Sequence, residues 1–310
     1  MKDIIFLQPV FKQMLWGGSR LRTEYGYDIP GDHTGEAWVV SAHSHGDCTV
    51  KEGPWAGKTL GWLWKNRPEL FGSDGTGQFP LLVKIIDARD DLSIQVHPDD
   101  AYASIHENGS LGKTECWYVL DCDPDSTIVI GHNAKDRDEL RRMVSERRWS
   151  DLIRVLPVKK GDFFQIEPGT VHAIRKGTLI LETQQNSDIT YRLYDYDRLQ
   201  DGKPRELHIE KSLDVIRCPH TDVPWGGNCT EADGYSRRCL IACPCYQVDK
   251  WDIQTEAVLP GGAPFLIVDV LEGEGTADGH PVKKGDHFIL PAGCGDCSVT
   301  GRLSLITSHV

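Results

Sequence analysis

Four residues in this chain have the types and spacing to hold a metal ion: Gln95, His97, Glu115 and His172. Gln95 and His97 close the run LLVKIIDARDDLSIQVHP. Side chains alternate between the faces of a β-strand, so Gln95 and His97 point one way and Ile94 and Val96 the other. Glu115 follows one hairpin later in GKTECWYVL, and His172 stands in EPGTVHAI. Imidazole nitrogen and carboxylate oxygen suit Zn²⁺, and also Fe²⁺ or Mn²⁺, with a position left for water or substrate. A lone histidine on a strand is usually structural. The combination of a Gln-x-His pair, a glutamate and a second histidine predicts a metal site.

The elements that must position these residues are mostly strands. GEAWVVSAHSHGDCTV alternates apolar and polar residues, as a half-buried strand does. ECWYVLDC, STIVIGH, GTLILETQQNS and ITYRLYDYD read as further strands between Gly, Pro and Asp turns. Thr59 can cap a short helix that Pro68 interrupts, and Pro98 and Asp99 suit the first turn of another that ends at Asn108-Gly109. A longer helical segment is expected over about 136–156, DRDELRRMVSERRWSDLIRVL, with a solvated charged face. DGKPRELHIEKSLDVIRCPHTDVPWGGN reads as a linker.

An internal repeat gives the architecture. Val158–Gly169, VKKGDFFQIEPG, matches Val282–Gly293, VKKGDHFILPAG, at a constant offset of 124, with VKKGD identical in both. A tight Gly-Asp turn, a strand and a Pro/Gly turn form half of a cupin-like barrel motif. The fold class predicted is mainly β: tandem cupin-like (jelly-roll) barrels with a small helical segment. The divisions expected are 1–235, carrying the site, and 236–310, a degenerate copy. Only the first copy has a histidine after its Gly; Asp296 stands where His172 would.

Bulk properties exclude several classes. A net charge of -12 argues against general nucleic-acid binding. No apolar run is long enough for a membrane span, and the N-terminus is a poor signal peptide. Ten cysteines without a framework pattern predict a cytoplasmic protein with reduced thiols. Cys294-Gly-Asp-Cys297, with Cys239, Cys243 and Cys245 upstream, is a weak alternative zinc site.

FKQMLWGGSRL, GEAWVVSAHSHGDCTV, LLVKIIDARDDLSIQVHPDDAYA, GKTECWYVL, EPGTVHAI and QQNSDITYRLYDYDR, in that order, resemble type I mannose-6-phosphate isomerase in its short bacterial form. QVHPDD and NSD-x-x-x-R are the specific motifs, and the likeness weakens after about residue 240. The resemblance implies a zinc-dependent cupin enzyme, one ion per chain, that interconverts mannose 6-phosphate and fructose 6-phosphate. It implies Gln95, His97, Glu115 and His172 as ligands; Gln95, a neutral amide, can also stand just outside the ion's shell. It implies Arg192 as the essential arginine, Lys113 as the lysine of Lys-x-Glu, Asp188 as the aspartate near the arginine, and Ser93 as a phosphate contact.

The chemistry required is ring opening, then movement of a proton between C1 and C2 through an enediol. A cation such as Arg192 can stabilise the charge developing on oxygen. Lys113, Asp188, His97 and a metal-held water are candidates for moving the proton. Lys113, Ser93 and Arg198 are candidates for the phosphate. Two other functions fit part of the pattern: a non-catalytic sugar-phosphate-binding cupin, and a different metal-dependent cupin enzyme such as an iron dioxygenase. On residue types alone, Arg192 and Arg198, set among Tyr191, Tyr194, Asp195 and Asp197, read better as part of an ion-paired surface strand.

Overall fold

Short runs of alternating residues fold into strands along the whole chain. The computed structural model describes residues 4–200 and 202–310; the start of the signal-like N-terminus, residues 1–3, lies outside the described residues. The N-terminal half is built on two facing sheets. One orders the strands Ile153–Pro157, Thr127–His132, His172–Ala173, Ile94–Val96 and Tyr191–Tyr194. The other orders Phe163–Ile166, Glu115–Cys122, Thr178–Gln185, Leu81–Ala88, Val10–Gly18 and Thr34–Val40. The C-terminal half supplies eight strands of a ten-stranded sheet around the long strands Leu266–Ala277 and Cys297–His309, and Ile5–Gln8 and Thr49–Val50 complete it. The mainly β class expected from the sequence is what is observed.

The repeat is a repeated structure. In both copies the turn glycine has a positive φ, 87° at Gly161 and 86° at Gly285, a conformation that costs glycine least. In both, the aspartate side chain accepts from the backbone N–H three residues back: Lys159 to Asp162 and Lys283 to Asp286, each 2.9 Å. The following strands, Phe163–Ile166 and His287–Leu290, pair in the same register with Glu115–Cys122 and Leu266–Ala277. By that register Leu266 occupies the place of Glu115.

The halves are not independent. Ile5–Gln8 pairs with His287–Leu290, so the first strand crosses into the C-terminal sheet. One hydrophobic core joins Val39, Val83 and Leu181 of the first half to Val248, Phe265 and Ile306 of the second.

Three local expectations are modified. The helical segment of about 136–156 stops at Leu152: Arg137–Ser145 is helical, Trp149–Leu152 adds one turn, and Ile153–Pro157 is an edge strand against Thr127–His132. Arg147, with φ at 57°, breaks the helix between them. The expected linker contains a helix, Ile209–Val215, docked by buried Leu213 and Ile216. Thr34–Val40 is buried on both faces, because its polar face lines the site described next.

Candidate metal and sugar-phosphate site

Ladder partners in a sheet project to the same side, so the strand register places the site. Across the larger sheet, Trp38, Lys84, Glu182 and Trp117 stand side by side on successive strands. Glu115 lies on the same face, two residues before Trp117, beside Gln184. Across the facing sheet, Ile130, His172, Gln95 and Arg192 form a second row. The two rows enclose the site, and His97 follows Val96 into it. Lys113 is brought in by Gly112, which packs so closely on Asp99 that a Cβ would lie 2.3 Å from the Asp99 carbonyl carbon. Its backbone N–H donates to Pro98 O at 3.0 Å.

The predicted ligands converge. His97 and His172 are fully buried, and their Nδ1–H groups donate to the carbonyls of Ile189 (2.7 Å) and Thr170 (2.8 Å). Each Nε2 therefore presents a lone pair, and the two Nε2 atoms are 3.1 Å apart. Glu115 Oε1 is 3.3 Å from His172 Nε2, and Oε2 is 3.5 Å from His97 Nε2. The Gln95 amide reaches His172 Nε2 at 3.3 Å, with Ser93 Oγ donating to its other end at 3.3 Å. Ser93 thus supports Gln95.

These groups fit a divalent cation. Two imidazole lone pairs and a carboxylate facing one another repel unless a positive charge lies among them; the Lys113 ammonium meets His97 Nε2 at 3.2 Å and Glu115 at 2.7 Å but leaves the His172 lone pair to be met by an ion. Their spacings match the roughly 3.3 Å edge of a tetrahedral site with about 2.0 Å bonds. Neither oxygen of Glu115 accepts a well-formed hydrogen bond. Charge points the same way. Lys113 pairs with Glu115 at 2.7 Å and lies 3.9 Å from Glu182; Lys84 lies 3.3 Å from Glu182 and 3.9 Å from Glu36. Two buried ammonium groups face three buried carboxylates, an excess of one negative charge.

The titration shifts follow. Burial, then Lys113, hold His97 well below its usual range, and burial lowers His172 to about 4. Both rings are neutral at pH 7, as ligands must be. Burial and the nearby Glu182 raise Glu115 to about 7. Burial opposes the Lys84 ammonium, but Glu36, Glu182 and Glu115 outweigh it and raise its pKa.

The two predicted arginines differ. Arg192 stands beside Gln95 in the ladder; its guanidinium is half-buried and its Nε has no hydrogen-bond partner. Burial, then Arg205, lower its pKa. Arg198 is tied to Asp195, which also holds Arg205 at 2.5 Å, and to the Asp91 carbonyl. Asp188 sits apart from Arg192, with His45 Nδ1 2.5 Å from one oxygen and His43 Nε2 3.7 Å from the other. His43 Nδ1 accepts the His45 backbone N–H at 3.1 Å. The neutral ring therefore keeps its proton on Nε2, facing Asp188. That tautomer makes the trio an acid–base cluster and not a ligand set, although its atoms lie within 4.8 Å of one another.

Glu36, Trp38 and the two rim histidines escaped the sequence reading. Trp38 Nε1–H donates to Glu36 at 2.6 Å, and the Trp38 ring meets His43 edge-on at 5.6 Å. The available signal was the alternation Glu36-Ala-Trp38 in a strand whose polar face had no reason to be solvated. Among the described residues, the candidate metal clusters are this rim trio and the His97–Glu115–His172 set; neither includes a cysteine of the alternative site.

Comparison with known proteins shows the family. Residues 4–125 match the family model "Phosphomannose isomerase type I, catalytic domain", and residues 238–310 match "Mannose-6-phosphate isomerase, cupin domain". Mannose-6-phosphate isomerase ManA of Bacillus subtilis is 48% identical over 311 residues, covering 99% of this chain and 98% of that protein. Mannose-6-phosphate isomerase of Streptococcus mutans is 46% identical over 318 residues, covering 100% and 99%. The crystal structure of the B. subtilis mannose 6-phosphate isomerase superposes with a TM-score of 0.96 at 46% identity, covering all of both chains. This chain belongs to the type I mannose-6-phosphate isomerase family.

Proposed function

We propose that this chain interconverts mannose 6-phosphate and fructose 6-phosphate through an enediol, with one zinc ion per chain held by His97, Glu115 and His172 and by Gln95, whose amide would turn over from its Ser93 contact to present its oxygen. The observation that carries the reading is the convergence of the two Nε2 lone pairs and the Glu115 carboxylate inside a buried, net-negative pocket. The ion, when bound, supplies Lewis-acid polarisation of the sugar oxygens.

The remaining work falls to side chains. The Arg192 guanidinium, whose Nε has no hydrogen-bond partner among the described residues, meets the anionic oxygens of the substrate. His97 is removed as a proton carrier, since its Nδ1 is bound to Ile189 and its Nε2 belongs to the ligand set. Lys113 orients the sugar hydroxyls next to the ion. Asp188, backed by His43 and His45, exchanges protons at the rim. Lys113 borders the phosphate, and Ser93 joins it only by giving up its hydrogen bond to Gln95. Arg198 would have to leave Asp195 to join them, and we assign it to holding the Asp195 loop. Residues 1–235 form the catalytic unit and 236–310 the degenerate barrel that buttresses it.

A coupled assay with mannose 6-phosphate tests this. Activity should vanish on chelation and return with stoichiometric zinc. Activity that survives complete metal removal would exclude the metal-dependent reading. A protein that binds the sugar phosphate without turnover would support the non-catalytic alternative.

A further inference from the structure

Cys243, Pro244 and Cys245 lie in the turn between the strands Tyr235–Ala242 and Gln247–Ile253 of the C-terminal half. The Cys243 N–H donates to Tyr246 O at 2.9 Å, closing the hairpin. This turn is pressed against the catalytic half at two points. Cys245 Sγ meets the Thr114 hydroxyl at 3.7 Å, and Tyr246 Oη donates to Gln165 Oε1 at 3.2 Å. Thr114 lies between Lys113 and Glu115, and Gln165 is on the strand that pairs with Glu115. A cysteine pair is thus joined to the strand that supplies the carboxylate ligand.

The two thiols are unlike each other. The Cys243 sulfur receives three donors: the Cys245 S–H and the backbone N–H groups of Cys245 and Tyr246. These favour its thiolate and bring it down to about 7, while the same contact pushes Cys245 up. Both residues reach solvent. Cys48 and Cys116, by contrast, are sealed in the core, and burial raises them to about 12 and beyond. Two residues apart, the Cα atoms of Cys243 and Cys245 are at most about 7 Å apart, within a small adjustment of disulfide geometry.

We propose that Cys243 and Cys245 form a hydroperoxide-reactive modification site, whose closure to a disulfide releases Thr114 and slows the reaction at the neighbouring site. The Cys243 thiolate attacks one peroxide oxygen; an S–O bond forms, the O–O bond breaks, and the departing hydroxide takes a proton to become water. The Cys245 sulfur then attacks the sulfenic sulfur; an S–S bond forms, the S–O bond breaks, and the Cys245 proton leaves with that oxygen as a second water. The two thiols are oxidised by two electrons and one hydroperoxide is reduced. The consequence for turnover rests on the isomerase reading, whereas the thiol chemistry does not.

The test uses the full-length, zinc-loaded protein and hydrogen peroxide at pH 7, read by peptide mapping and by the isomerase assay. Cys243 should react about threefold faster than the exposed Cys229: the larger thiolate fraction is partly offset by lower intrinsic nucleophilicity. The Cys243–Cys245 peptide should lose about 2 Da, the mass change of disulfide formation. The kcat should fall about tenfold, as expected when catalytic groups shift, and dithiothreitol should restore both. Cys245→Ser should stop at a sulfenic acid on Cys243 that dimedone traps. Cys243→Ser should show neither the mass change nor the loss of kcat. Oxidation of Cys229 as fast as Cys243, with no internal disulfide, would overturn the site. A disulfide that forms with kcat unchanged, or an equal loss of kcat in Cys243→Ser, would overturn the link to Thr114. A chain without isomerase activity would still report the thiol chemistry by mass.

Discussion

The Nε2 atoms of His97 and His172 face each other at 3.1 Å, each turned inward because its Nδ1–H is spent on a backbone carbonyl. The carbonyls of Ile189 and Thr170 therefore fix the tautomer of both rings before any ion arrives. Such outer partners hold a ligand ring in place and raise its basicity.

Proton release on metal binding follows from the titration shifts. Both histidines are already neutral near pH 6, since their pKa values lie far below the usual 6.5. Glu115, at about 7, is mostly protonated at pH 6 and must lose that proton to ligate. Zinc uptake by metal-free protein should release about one proton at pH 6 and close to none above about pH 8. Calorimetry in buffers of different ionisation enthalpy measures this. Release that grows with pH would contradict the assignment.

Lys84 is buried against Glu36 and Glu182, and Lys84→Met would remove their nearest cation, leaving Glu36 with the Trp38 N–H and Glu182 with the Trp117 N–H and the more distant Lys113. Removing one member of a buried charged set costs about 3–5 kcal/mol. Urea unfolding should show a loss of that order, larger than for Lys84→Arg. A loss below about 1 kcal/mol would mean that Lys84 does not compensate the buried acids.

The two arginines should separate cleanly. Arg192→Ala should lower kcat/KM by about 100- to 1,000-fold, with little change in Tm. Arg198→Ala should lower Tm, because it strips a partner from buried Asp195, and should leave kcat/KM within about threefold of the parent. The reverse pattern would return Arg198 to the substrate.

Much of this was readable in the chain. The i, i+2 spacing of Gln95 and His97 puts both on one face in any strand, and the VKKGD repeat located His172 relative to its turn. Thr59, Asp99 and Asp136 cap helices as their residue types predict, each side chain accepting a backbone N–H three residues on. What could not be read depends on register between distant strands. Trp38, Lys84 and Glu182 become neighbours only once three strands are aligned, and nothing in the local sequence of any one of them names the other two. Ion pairing of Arg198 with a nearby aspartate was readable, but not the turn, set by positive φ at Tyr196 and Asp197, that folds it onto Asp195. The Ile209–Val215 helix was missed because Pro, Gly and charged residues on either side gave its composition the look of a linker. Its Ile209, Leu213 and Ile216 spacing was the available signal.

The central claim is that His97, Glu115 and His172 together hold the ion on which turnover depends. The direct measurement is zinc per chain by elemental analysis alongside isomerase activity, for the parent protein and His172→Ala. The parent should carry about one zinc, and His172→Ala should retain little and lose about 100-fold or more in kcat. A His172→Ala protein with full zinc and full activity would contradict the account.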